Sequence, residues 1–130
     1  MSTLFTKIIT GEIPSHKVYE DDKTFAFLDI YPITEGHVLV IPKVECDRFE
    51  DLSDADYQAV WQTVRRVAKR LREVYGDKRV CLKVEGFDVP HAHIHVFACH
   101  NAEDFYRQAD RSREPDHEAL AIVAQKIAFS

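Results

Sequence analysis

Alternation of histidine and apolar residues along one short stretch is the feature that most restricts the fold of this chain. Residues 91–97 read His-Ala-His-Ile-His-Val-Phe. Successive side chains of a β-strand point to opposite faces, so the stretch predicts a strand with three imidazoles on one face. Its other face carries Ala92, Ile94 and Val96, which we expect to turn toward a hydrophobic core.

Length and charge limit the class of protein. A chain of 130 residues with 45% hydrophobic and 30% charged residues is typical of one soluble globular domain with a substantial core. Its net charge of −5 argues against a general nucleic-acid binder, which pairs phosphates with Lys and Arg. We therefore expect no nucleic-acid partner, and expect any anionic substrate to be held by local features.

Cysteine usage and hydropathy indicate the compartment. Cys46, Cys81 and Cys99 show no CxxC spacing, and a sparse, odd set fits a reducing compartment. No stretch approaches the roughly 20 apolar residues of a membrane span, and Lys7 interrupts the apolar run near the start. The sequence predicts a cytoplasmic protein with no membrane contact.

Five segments have the apolar patterning of strands. They are residues 16–20, 24–28, 37–41, 79–84 and 90–98. Residues 4–9 predict a short helix that ends before Gly11 and Pro14. Strands, a long helix, more strands and a final helix predict the α+β class with an antiparallel sheet.

Residues 53–75 predict the longest helix, because apolar residues recur there at helical spacing. Ser53 is a candidate N-cap and Gly76 a C-terminal stop. Five basic residues mark its polar side: Arg65, Arg66, Lys69, Arg70 and Arg72. In an acidic chain we interpret them as a solvated helix face and not as a nucleic-acid patch. A last helix is predicted with Pro115 at its first position and a dense apolar run over 119–129.

Three interpretations of the histidines follow from their chemistry. They could decorate an exposed sheet face and hydrogen-bond locally. Two of them, such as His91 and His93, could bind zinc with a third ligand from elsewhere. Alternatively, a central imidazole could attack phosphorus while its neighbours neutralise oxygens and move protons.

The stretch also resembles the signature of the histidine triad (HIT) nucleotide-binding superfamily: His, apolar, His, apolar, His, then two apolar residues. Upstream segments follow the same family in order and spacing. They are Phe5-Thr6-Lys7-Ile8-Ile9, Gly11-Glu12-Ile13-Pro14, Tyr19-Glu20-Asp21-Asp22, Phe27-Leu28-Asp29-Ile30, Pro32 and Gly36-His37-Val38-Leu39-Val40-Ile41-Pro42-Lys43. Several segments in the right order are more specific than one motif. The chain resembles most the small nucleoside phosphoramidate hydrolases, over roughly residues 5–97.

The resemblance implies a HIT-like α+β fold, with a five-stranded antiparallel sheet, one long central helix and a C-terminal helix. We expect a single domain over residues 1–130, in which 1–98 form the core with the triad and 99–130 a divergent helical tail. It also implies a homodimer, a purine nucleotide or nucleotide conjugate as ligand, and no metal or other cofactor.

The resemblance assigns roles to individual residues. His93 resembles a nucleophile that forms a covalent nucleotidyl-histidine, and His95 and His91 resemble residues that bind phosphate oxygens or assist proton transfer. His37 resembles the fourth family histidine, and Asp29 the carboxylate that accepts from ribose hydroxyls. An apolar slot for the base is implied, although each of its residues could equally be plain core. Its residues are Leu4, Phe5, Ile8, Phe27, Ile30 and Leu39.

The chain departs from the family before the triad. Many relatives carry an Asn, then a Gly-Gln-Ser/Thr segment, whereas this chain has Val84 at the Asn position and a shorter loop ending at Pro90. Val84 has no polar side-chain atom, Pro90 has no N–H, and Asp88 would repel a phosphate unless it pairs with a histidine. The N-terminal CxxC of zinc-holding relatives is missing, and Cys81 and Cys99 are expected in the core.

The favoured function is that of a nucleotide hydrolase that cleaves a phosphoramidate or related bond at an α-phosphate through His93. One alternative is a nucleotide-binding or interaction module with weak or no catalysis, favoured by the changed loop. Another is a metal-dependent hydrolase.

Overall fold

The computed structural model describes residues 2–130, so Met1, the first residue of the predicted domain, lies outside the described part. The helices and strands are α1 (Leu4–Ile9), β1 (Lys17–Glu20), β2 (Thr24–Leu28), β3 (Val38–Pro42), α2 (Asp54–Val74), β4 (Arg79–Glu85), β5 (His93–Cys99), α3 (Ala102–Tyr106) and α4 (His117–Ile127). The strands form one sheet in the order β1-β2-β3-β5-β4, with every pair antiparallel. The predicted α+β class with a five-stranded antiparallel sheet is confirmed.

The main core lies between one face of the sheet and the helices α2 and α4. Ile94 and Val96 of β5 turn to this face and are fully buried, as their alternation with histidine predicts. Burying one such side chain stabilises the fold by about 1.5–3 kcal/mol. The other face carries α1 and a second apolar cluster, and β5 presents its histidines there.

Helix α2 begins and ends close to the predicted positions. The Ser53 side chain accepts a hydrogen bond from the Asp56 N–H and satisfies one of the free donors of the first turn. At the other end, the Tyr75 ring lies over Gly36 and its hydroxyl donates to Glu35 at 2.6 Å. This contact fixes the turn that leads into His37 and β3.

Strand β5 is shorter than predicted, because the chain turns before it. The His91 N–H donates to the Val89 carbonyl at 2.8 Å and the Ala92 N–H to the Cys46 carbonyl at 2.6 Å. Neither group is then free to pair with a neighbouring strand, and the strand begins at His93. The prediction of three histidines in a row on one strand was therefore wrong: only His93 and His95 lie on it.

The tail differs from the prediction in two respects. Helix α3 is additional, and Asn101 caps it by accepting from the Asp104 N–H. Helix α4 begins at His117, so Pro115 is not its first residue. The N-cap is Asp116, whose carboxylate accepts from the Ala119 N–H and supplies the acceptor that a helix start needs.

Candidate active site

Two histidines of β5 share the sheet face that is opposite to α2. In the sheet, His95 lies beside Leu39 of β3 and Lys83 of β4, and His93 pairs with Glu85. The ring centroids of His93 and His95 are 5.2 Å apart. The pairing of three strands therefore assembles this site from distant parts of the chain.

The tautomer of His93 follows from one hydrogen bond. Its Nδ1 lies 2.7 Å from the His91 carbonyl oxygen, and because a carbonyl only accepts, Nδ1 must carry the hydrogen. The lone pair of the neutral ring is then on Nε2. The ring is 4% exposed, and the edge of Phe5 packs on it at 5.1 Å. His93 is held with a nucleophilic nitrogen directed away from its backbone anchor.

His37 and His95 form an oriented hydrogen-bonded pair. The Ile33 N–H donates to His37 Nδ1 at 3.1 Å, so the hydrogen of a neutral His37 is on Nε2. That atom lies 2.9 Å from His95 Nδ1 and donates to it. The hydrogen of His95 is then on its own Nε2, which makes this residue a hydrogen-bond donor at the site.

Burial keeps this pair neutral. Desolvation, with smaller contributions from neighbouring positive charges, lowers the pKa of His37 to about 3 and that of His95 to about 4. At neutral pH both rings are uncharged, as the donor and acceptor sequence requires. Only a neutral His37 can accept at Nδ1 while it donates at Nε2.

His91 lies beneath the site and not in it. Its Nε2 donates to the Pro42 carbonyl and its Nδ1 accepts from the Thr3 hydroxyl, both at 2.8 Å. The ring is completely buried, and its backbone carbonyl is the acceptor that orients His93. In this arrangement no nitrogen of His91 is free for a phosphate oxygen, in contrast to the role that the resemblance implies.

Asp29 faces the histidine pair. Its Oδ1 accepts from the Tyr31 N–H at 2.8 Å, and its Oδ2 lies 3.7 Å from His37 Nε2 and 3.9 Å from His95 Nδ1. Burial raises the pKa of this carboxyl, while the Tyr31 N–H and the charge on Arg111 oppose the rise. The second oxygen retains acceptor capacity toward a ligand.

The six apolar residues predicted for a base slot divide into two groups. Phe5, Phe27 and Leu39 are buried in the second cluster, and Ile8 packs at its margin. Leu4 and Ile30 are exposed at 47% and 38%. Part of the predicted slot is therefore closed core, and two of its residues present apolar surface to solvent.

Two cavities adjoin the histidines. One of about 390 Å³ lies beside His93 and Glu85 and is bounded by the loops at residues 47–50 and 86–87. Another, of about 210 Å³, separates Asp29 and His37 from helix α4. Of these, the cavity beside His93 gives access to its imidazole.

Four residues near the histidines could not be assigned to the site from the sequence. Thr3 anchors His91, and Lys83 holds its ammonium over the Phe97 and Phe105 rings at 5.6 and 4.7 Å. The other two are Glu85, whose Oε1 lies 3.6 Å from His93 Nε2, and Arg111, whose charge acts on Asp29 and His95. The period of two along 79–84 indicated that Lys83, and Glu85 one step further, share a face of the strand. The pairing register with β5 was needed to place them beside the histidines.

The three-dimensional structure changes the interpretation of Val84, the residue at the position of the family's Asn. Val84 pairs with Ile94, which faces the main core, whereas Glu85 pairs with His93. The residue of β4 that faces the candidate nucleophile is therefore Glu85. Asp88 pairs with Arg111 at 3.5 Å, and not with a histidine as its place near a phosphate would require.

Among residues 2–130, two groups of three side chains have donor atoms close enough for a metal ion: Asp29, His37 and His95, and Glu85, His93 and His95. In the first group the facing nitrogens are 2.9 Å apart. Two nitrogens on one tetrahedral zinc lie roughly 3.3 Å apart, so this spacing suits a hydrogen bond better. The Glu85 group is the arrangement more open to a metal.

Of the two cysteines expected in the core, Cys81 and Cys99, one is buried. Cys99 is buried, but Cys81 on the sheet edge is only half-buried. Within residues 2–130, none of the helices has both the length and the apolar character that crossing a membrane requires.

Fold and site together define an α+β protein with a histidine cluster on the open face of an antiparallel sheet. The HIT domain family model matches residues 10–102. A HIT-like protein of Borreliella burgdorferi is 38% identical over 100 residues, 72% of either chain. Adenosine 5'-monophosphoramidase HNT1 of Saccharomyces cerevisiae is 36% identical over 94 residues, which are 72% of this chain and 60% of that enzyme.

A solved structure extends the similarity to nearly the full length. The crystal structure of a Hit-like protein involved in cell-cycle regulation from Bartonella henselae matches with a TM-score of 0.83 and 29% identity, over 97% of this chain and 94% of that one. The chain belongs to the HIT family, and the resemblance inferred from its sequence is confirmed.

Proposed function

We propose that this protein is a nucleotide hydrolase that cleaves a phosphoramidate or related bond at the α-phosphate of a purine nucleotide conjugate. The observation that carries the proposal is the position of the ring hydrogens at the site. His93 has a lone pair on Nε2, and the neighbouring His95 has a hydrogen on Nε2. The relationship to an adenosine 5'-monophosphoramidase supports the choice of bond.

In the proposed reaction, His93 Nε2 attacks phosphorus and forms a P–N bond. The bond to the leaving nitrogen breaks, and that nitrogen departs with the electron pair and a proton from solvent water, while the neutral His95 remains a hydrogen-bond donor. Water then attacks phosphorus, the bond to His93 breaks, and one proton of the water replaces the one that left. The neutral state of His95 suits it to donate a hydrogen bond to the phosphoryl group before transfer.

The remaining predicted residues have supporting roles in this proposal. His91 positions His93 through its backbone carbonyl. Asp29 Oδ2 accepts from a ribose hydroxyl. Leu4 and Ile30 contact the base, and the buried Phe5, Ile8, Phe27 and Leu39 support that surface.

Intact-protein mass after brief exposure to adenosine 5'-phosphoramidate tests the mechanism. We expect a transient adduct of one nucleoside monophosphate on the wild type and none on His93→Ala, which should retain nucleotide binding. His100→Ala is the matched control, because His100 is exposed and lies beyond the end of β5. Full turnover by His93→Ala would contradict the mechanism.

A metal-dependent hydrolase is the second candidate, because Glu85, His93 and His95 converge within ligand distance of one another. Turnover that disappears with a chelator and returns with zinc would favour it. An adduct indifferent to the chelator would favour the covalent route. Nucleotide binding with neither adduct nor turnover would identify a binding module, an outcome that the Glu85 carboxylate facing His93 makes physically reasonable.

We further propose a homodimer formed through the edge of the sheet. Among the described residues β4 pairs with β5 alone, so its outer edge has free backbone groups. Apolar side chains on and after this strand are exposed: Leu82 at 39%, Val84 at 40% and Phe87 at 93%. Pairing two such edges would satisfy both the backbone and the apolar surface.

A further inference from the structure

One cation from the C-terminal segment lies close to Asp29 and His95. Arg111 places its guanidinium 5.7 Å from the centre of the Tyr31 ring and 3.5 Å from the Asp88 carboxylate. Tyr31 donates its N–H to Asp29, and Asp88 lies in the loop that leads to the histidines. Arg111 thus links the residue that hydrogen-bonds Asp29 to the loop that leads to the histidines.

The segment that carries Arg111 is anchored at both ends. Arg107 donates to the Ile33 carbonyl at 2.9 Å, next to the turn that orients His37. Beyond the segment, His117 lies 2.9 Å from His16, with the two rings stacked. The segment is therefore tied to the body of the fold on either side of Arg111, whose own side chain is exposed.

Arg111 acts on the site electrostatically. Burial is the main influence on the pKa of both Asp29 and His95, and in both cases the charge on Arg111 pushes the pKa lower. A guanidinium close to these groups attracts an anion bound beside them. Its planar pair of N–H donors matches a carboxylate or phosphate.

The present partner of Arg111 is easily exchanged. Both side chains of the Asp88–Arg111 pair are about two-thirds exposed, at 66% and 65%, and their closest atoms are 3.5 Å apart. Exposed ion pairs of this kind contribute little stability. A ligand carboxylate or phosphate beside Arg111 can therefore take the place of Asp88.

We propose that Arg111 is a specificity residue that selects conjugates whose leaving group carries a carboxylate or phosphate. This inference rests on the proposed function. In the proposed reaction His95 donates to the phosphoryl group, and Arg111 is near enough for its charge to act on His95, so an anion on the leaving group comes within reach of the guanidinium. Asp88 competes with that anion for the guanidinium.

The test compares two substrates that differ in one charge: adenosine 5'-phosphoramidate joined through nitrogen to glycine, and the same compound joined to glycinamide. The readout is the ratio of kcat/KM for the glycine conjugate to that for the glycinamide conjugate. We expect Arg111→Ala to lower this ratio about tenfold and Asp88→Asn to raise it. Arg113→Ala is the matched control, because Arg113 is exposed on the same segment.

Binding separates failure of this inference from failure of the proposed function. The ratio of dissociation constants for the two conjugates, measured on His93→Ala with and without Arg111→Ala, requires no turnover. If the wild type cleaves neither conjugate, the proposed function fails and this binding ratio still decides the role of Arg111. Equal ratios with and without Arg111, in turnover or in binding, would overturn the inference.

Discussion

At the scale of single residues, the site depends on which nitrogen of each imidazole carries a hydrogen. Backbone groups decide this: the His91 carbonyl fixes His93, and the Ile33 N–H fixes His37, which in turn fixes His95. The histidine spacing identified the cluster from the sequence. The tautomers could not be predicted, because each depends on a backbone group placed by the fold.

The neutral His95 predicts how stability depends on pH. Its folded-state pKa of about 4 lies below the unfolded value of 6.5, so the unfolded chain binds more protons between these values. Its contribution is therefore present above pH 6.5 and is lost as the pH falls toward 4, by on the order of 3 kcal/mol. Urea unfolding at pH 7, 6, 5 and 4.5 measures this loss.

The variant His95→Asn isolates the contribution of this residue. We expect a shallower fall in the free energy of unfolding for His95→Asn than for the wild type, whereas His100→Asn should retain the wild-type slope. Because its pKa is raised, Asp29 has the opposite effect on the pH dependence of stability, and it does so in all three proteins. The informative quantity is therefore the difference between the slopes. Parallel slopes for His95→Asn and wild type would contradict a neutral, buried His95.

At the scale of elements, the turn before β3 is held by the end of a helix that lies far away in the sequence. Gly36 has a φ of +84°, and a Cβ there would lie 2.9 Å from a ring carbon of Tyr75. Both the backbone conformation and the close ring require glycine. The sequence contained Gly36 within the family-like segment, but only the packing of α2 explains its second constraint.

Two glycine substitutions separate these constraints. Gly11 has a φ of +85°, and a Cβ added there would meet no atom within 4 Å, so Gly11→Ala should cost only backbone strain, about 1 kcal/mol. Gly36→Ala adds the clash with Tyr75 and should cost at least about 2 kcal/mol. Urea unfolding of both variants measures the difference, and equal losses would show that the ring moves aside freely.

At the scale of the whole molecule, the tail is bound to the body of the fold. Helix α4 packs on α2, β1 and β2, and Arg70 donates to the carbonyls of Ile127 and Lys126 at its C-terminal end. A cation at this end also complements the helix dipole. These contacts support the proposal that residues 1–130 form one domain, and they give Arg70 a role beyond the solvated face predicted for it.

The proposed dimer is tested at the same scale. We expect Val84→Asp to give a monomer, because a charge on the edge strand opposes both strand pairing and apolar contact. Val44→Asp is the control, since Val44 is 46% exposed but lies outside the sheet. Light scattering after size-exclusion chromatography measures the mass. A wild-type monomer, or a Val84→Asp dimer, would contradict this interface.

The sequence by itself determined the strand alternation at residues 93–96, the long capped helix and the residue types of the candidate site, because these follow from local periodicity and short-range capping. Only the tertiary structure decided that His91 lies beneath the site, that Glu85 faces His93, and that Arg111 pairs with Asp88. Those placements depend on strand register and on contacts between residues far apart in the chain. No local pattern specifies such contacts, because they are set by the free energy of packing the whole molecule.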